Sequence, residues 1–114
     1  MAELKLSVKN SIIKTIRYLQ NQITITEVIL FGSYATGNQH KHSDIDIAVI
    51  SPDFENKDIS FKAAIASKAK INGSTDIEIH PFTLQSLKDA RPTNFIGHIL
   101  NTGTIIFKEG VFLV

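Results

Sequence analysis

Gly32, Ser33, Asp44 and Asp46 are the residues whose types and spacing could do chemistry together. They fall in the stretch F-G-S-Y-A-T-G-N-Q-H-K-H-S-D-I-D-I-A-V, residues 31–49. A Gly-Ser turn leaving an apolar run offers backbone N–H groups to a phosphate. Asp44 and Asp46, two apart in a second apolar run, are expected to project from one face of a strand. Two carboxylates held close repel each other, and a divalent cation that prefers oxygen relieves the repulsion. A phosphate cradle beside a metal clamp is the equipment of phosphoryl or nucleotidyl transfer. Taken alone, Gly-Ser is a common turn and paired aspartates are usually solvated. The ordered combination is far more specific.

The elements that must position these residues can be read from periodicity. Residues 7–22 predict a helix, with Ile12, Ile16, Leu19 and Ile23 at spacings of three and four. Residues 27–31 predict the first strand, 33–36 a helical turn closed by Gly37, and 44–50 the second strand. Asp58 is placed to cap a helix with Phe61, Ala64, Ile65 and Ala69 on its apolar face, stopped at Asn72-Gly73. Residues 75–80 predict a third strand, ended by Pro81, with Asp76, Glu78 and His80 on one face. Beyond it, residues 84–87 predict a short helical turn and 93–100 a helix with Pro92 at its start. A last strand is expected over 104–107, then a turn at 108–110. Alternating helices and strands argue for an α/β (α+β) packing of one domain, 1–114.

Composition narrows the function. At 43 % hydrophobic and 20 % charged residues, the chain has the make-up of an ordinary globular protein. A net charge of +1 gives no strong case for nucleic acid or an anionic membrane. The absence of cysteine excludes disulfides, thiolate metal sites and a cysteine nucleophile. No apolar run approaches the roughly 18 residues of a membrane span, and no signal-peptide layout opens the chain, so a cytoplasmic location is expected.

G-S-x-A-x-G followed by S-D-I-D-I-A-V resembles the signature of the polymerase β-like nucleotidyltransferase superfamily. The short chain resembles its minimal nucleotidyltransferase branch, MNT, often encoded beside an all-helical HEPN partner. The resemblance implies a nucleotidyltransferase fold, a small mixed sheet with helices mainly on one face. It also implies two Mg²⁺ ions held by three carboxylates, and ATP or another nucleoside triphosphate as donor. Carried over by position, Gly32 and Ser33 hold the triphosphate, and Asp44 and Asp46 ligate the metals. Read from the residues alone, Ser43 either orders the aspartates' loop by local bonds to the backbone or is an ordinary turn serine. The third carboxylate, metal ligand and general base, comes from the third strand. Glu78 is favoured because I-E-I-H-P-F resembles a segment of several small members, and Asp76 stays open. Many members have arginine where this chain has Thr36. Lys41, His40 and His42 form a small basic cluster read as an exposed loop.

The expected activity is therefore transfer of a nucleoside monophosphate, AMP from ATP, to a hydroxyl. By resemblance the acceptor is a tyrosine of a HEPN toxin, which would make the chain an antitoxin. The rivals are a non-catalytic binding module that blocks a toxin by contact, and a homodimer acting on a small molecule.

Overall fold

The computed structural model describes residues 4–40 and 43–114. In chain order the elements are α1 (Leu6–Gln20), β1 (Glu27–Phe31), α2 (Ser33–Thr36), β2 (Ile45–Ile50), α3 (Ile59–Asn72), β3 (Ile77–Phe82), α4 (Leu84–Lys88), α5 (Phe95–Thr102), β4 (Thr104–Lys108) and β5 (Val111–Phe112). A 3-10 turn, Pro52–Phe54, follows β2.

The strands form one mixed sheet in the order β3-β2-β1-β4-β5. β2 returns antiparallel to β1 through a short connection, whereas the longer excursion through α3 brings β3 back parallel to β2. β1 lies between β2 and β4, and all five of its residues are buried. That burial explains its continuous apolar run, where a half-exposed strand would alternate.

The larger core lies between the sheet and α1 with α3. Ile12, Ile16 and Leu19 of α1, with Ile65 and Ala69 of α3, pack over Val28, Leu30, Ile47, Val49, Ile77 and Ile79. On the opposite face, Ile96 and Ile99 of α5 meet Ile29, Phe31, Ala48 and Ile50 in a smaller core. Helices therefore cover mainly one face, as expected. The parity that sends Ile45, Ile47 and Val49 to the larger core sends Asp46 to the α5 side.

Several boundaries differ from the sequence reading. β2 begins at Ile45 and β3 at Ile77, so Asp44 and Asp76 each stand one residue ahead of a strand. β3 continues through Pro81 to Phe82. It is an edge strand, where a missing N–H is tolerated. Asp58 does cap α3, its Oδ1 accepting from Phe61 N–H at 2.9 Å. Ala64, however, is exposed, and Ala66 packs against the core in its stead. α5 starts at Phe95 because Asn94 is its cap, which leaves Pro92 outside the helix. The chain then makes a hairpin that the sequence reading left as a turn, pairing Phe107 with Phe112 through Glu109 and Gly110 at positive φ. Among the described residues, no helix is long and apolar enough to cross a membrane.

Candidate active site

Phe31, Asp46 and Glu78 occupy one row across three strands. Phe31 is the register partner of Asp46 on one side, and Glu78 is its partner on the other. The parallel pairing of β2 with β3 thus puts Glu78, rather than Asp76, beside Asp46. The chain leaves the row through Gly32, at φ +74°. A Cβ there would lie 2.7 Å from Asp46 Oδ2, so only glycine lets the turn lie flat against the carboxylate. Ser33 opens the single turn of α2, which Gly37 closes in the left-handed region at φ 81°. Thr36, at the arginine position, turns its hydroxyl back on its own helix, donating to Gly32 C=O at 3.3 Å.

Asp46 and Glu78 each have a partner of opposite kind. His80 Nε2 stands 3.2 Å from Asp46 Oδ1, a diagonal contact between neighbouring parallel strands. The imidazole is steadied edge-on against the Phe31 ring, with centroids 4.9 Å apart. Glu78 Oε2 instead meets Lys70 Nζ of α3 at 3.0 Å. Both ends of that pair are open to water, at 37 % and 46 % exposure, so it holds Glu78 only loosely. The sequence pattern places His80 on the strand face of Glu78 without giving it a role, and it does not single out Lys70. Shared strand parity with Glu78 was the available signal for His80. Nothing local pointed to Lys70.

Asp44 and Asp76 gather elsewhere. Asp44 stands one residue ahead of β2, so the pleat of the strand does not by itself hold it on the face of Asp46. Asp44 and Asp76 are both exposed and line a cleft of about 380 Å³ with Ser43, Tyr34, Lys5, Ser7 and Ser11. Asp76 C=O accepts from Ile45 N–H at 3.0 Å, which ties the two strand entrances together. Ser43 makes the local bond expected of it, its Oγ accepting from His40 N–H at 2.9 Å. Of the basic cluster, Lys41 and His42 lie outside the described residues, and His40 is exposed.

The candidate set is therefore a row, Asp46 with Glu78, and a cleft rim, Asp44 with Asp76. Among the described residues, no three acidic or histidine side chains stand within common reach of one cation. The donors nonetheless suit a hard divalent ion by type, being carboxylate oxygens, with a glycine turn packed directly against Asp46. Asp46, Glu78 and the adjacent Asp44 are the residues that would hold it.

A mixed sheet carrying a glycine turn against a strand carboxylate defines a class. The chain matches the family described as Polymerase beta, Nucleotidyltransferase over residues 13–110, and it belongs to that family. Among particular relatives, it is 49 % identical over 45 residues to the protein adenylyltransferase MntA of Shewanella oneidensis. That match covers 40 % of this chain and 31 % of MntA, so the chain aligns with about a third of the relative's length. A Sulfolobus solfataricus crystal structure, described as a candidate nucleotidyltransferase, shares the fold over 100 % of this chain and 99 % of its own, with TM-score 0.65 and 17 % identity. A chain in a crystal structure of a toxin–antitoxin with AMP-PNP is similar over 88 % of this chain and 73 % of that one, with TM-score 0.57 and 26 % identity.

Proposed function

We propose that the chain is a Mg²⁺-dependent nucleotidyltransferase that moves AMP from ATP to a hydroxyl on a protein partner. The observation that carries this is the row of Asp46 and Glu78 with Gly32 packed against the first. The Gly32-Ser33 turn receives the triphosphate on backbone N–H groups. Asp44, Asp46 and Glu78 hold the two cations, which when bound would supply positive charge to the attacking and leaving oxygens. Glu78 leaves Lys70 and accepts the proton of the acceptor hydroxyl. The acceptor oxygen bonds to the α-phosphorus as the bond to pyrophosphate breaks. His80 fixes Asp46 in orientation, so that little reorganisation remains at the moment of transfer.

The likeness to a protein adenylyltransferase and to a toxin–antitoxin chain supports a protein acceptor. The partner in this reading is a helical HEPN toxin modified on a tyrosine, with this chain as its antitoxin. Labelled ATP, Mg²⁺, this chain and the product of the adjacent open reading frame make the test. Label is expected on the second protein. The double variant Asp44→Ala, Asp46→Ala should lose transfer while keeping its melting temperature, and full activity in that variant would end the proposal.

A contact-only antitoxin is favoured by the partners already on the acids, Lys70 on Glu78 and His80 on Asp46. In that case toxin binding and neutralisation survive both chelation and the double variant.

A further inference from the structure

Phe95, the first residue of α5, is 51 % exposed. The backbone beneath it is nevertheless firmly held. Asn94 Oδ1 accepts from Gly97 N–H at 2.9 Å and from Arg91 N–H at 3.1 Å, and its Nδ2 donates to Asp89 C=O at 2.9 Å. Gly97 lies directly on the Arg91 backbone, with no room for a Cβ. The ring is backed by Phe31 at 5.6 Å, His80 at 6.1 Å and Phe82 at 6.1 Å. The first two meet it near edge-on and the third at 52°, so none of them stacks flat on it. Phe95 also walls a cleft of about 310 Å³ with Phe82, Ser86 and Asp89.

Two of these three neighbours lead to the reacting centre. Phe31 immediately precedes Gly32, and His80 touches Asp46. A half-exposed aromatic ring on a firmly held backbone therefore stands one ring away from the residues assigned to phosphate and metal. We infer that Phe95 is the stacking platform for the base of the donor nucleotide, an inference that rests on the nucleotidyltransferase reading above. The donor of any nucleotidyl transfer carries a planar base one sugar away from the phosphate that reacts. Every base has a π face, so stacking accepts any of them. The platform selects a nucleoside triphosphate over bare polyphosphate, and purines over pyrimidines by their larger area.

The chain has no tryptophan, so Phe95→Trp installs a single tryptophan at the platform, excited apart from the two tyrosines. With Mg²⁺ present, ATP should quench it, whereas tripolyphosphate should leave it bright and compete with ATP. Equal quenching by both overturns the inference. Calorimetry on the unlabelled chain supplies the second arm. Phe95→Leu keeps apolar cover over Phe31 and His80 but removes the ring. It should weaken ATP binding about tenfold and leave tripolyphosphate binding unchanged, with Phe95→Tyr restoring the affinity. Equal ATP affinity in wild type and Phe95→Leu, or equal loss for both ligands, overturns the platform and leaves the nucleotidyltransferase reading standing. Absence of ATP binding to the wild-type chain overturns both.

Discussion

Gly32 serves both backbone and site at once. Its positive φ is costly for any residue with a Cβ, and that Cβ would meet the Asp46 carboxylate. Gly32→Ala should therefore lower the unfolding free energy by about 1–2 kcal/mol, read as a lower urea midpoint. Nucleotide transfer should fall much further than the lost stability explains, because Asp46 must move. Lys70→Met is expected to behave in the opposite way. The ion pair it removes is half-exposed, so stability should change by less than about 1 kcal/mol. Glu78 is then free to turn toward Asp46, and Mn²⁺ affinity measured by calorimetry should rise severalfold. A weaker affinity would show that Lys70 aims Glu78 at the site. Gly32 and Asp46 were legible in the sequence because a glycine leaving one strand and an acid within the next need only short-range rules. The pattern extends the strands over Asp44 and Asp76, whereas β2 starts one residue and β3 two residues later than it suggests. The placing of Glu78 beside Asp46 rests on the parallel register of β2 and β3, a long-range fact; in the sequence only the resemblance of I-E-I-H-P-F to family segments favours Glu78 over Asp76.

Elements with a strong period were readable, and those fixed by tertiary pairing were not. α1 shows its buried face at Ile12, Ile16 and Leu19, and α3 declares its start through Asp58. β5 is two residues long and exists because Phe112 finds Phe107 across the hairpin, with ring centroids at 5.0 Å. Pro92 suggests an earlier start for α5, whereas the side chain of Asn94 determines where the helix begins. The cap can be tested on its own. Asn94→Ala removes a cap bond to Gly97 together with the two bonds that clamp the preceding loop. A loss of about 1–2 kcal/mol is expected by urea denaturation. Hydrogen exchange should speed up at the start of α5 and stay slow in β1, which lies in the sheet interior. Uniform acceleration would mean that α5 unfolds only with the rest of the chain.

At the scale of the whole molecule, the strand that comes last in sequence but for a short hairpin arm holds the centre together. β1 is flanked by β2 and β4, and β4 is supplied only after every helix has been laid down. Ile106 and Phe107 are 0 % and 1 % exposed and complete the larger core over Val28. Removal of residues 104–114 would strip one edge of β1 and leave buried apolar residues facing water. An unpaired strand, apolar from Val28 to Phe31, is also a template for association. The truncated chain, 1–103, should thus lose its cooperative urea transition and elute as aggregate in size exclusion. Removing residues 111–114 alone spares β4 but costs Phe112, with its ring on Phe107 and its contact to Arg17 at 5.9 Å, the core contact of Val114 and the bond from Leu113 N–H to Ile106 C=O. That shorter deletion should keep a two-state transition at a lower midpoint. The contrast matters for the site, because the row of Phe31, Asp46 and Glu78 is straight only while β1 is held on both sides. A cooperative transition in the 1–103 chain would show that β1, β2 and β3 can hold that row without β4.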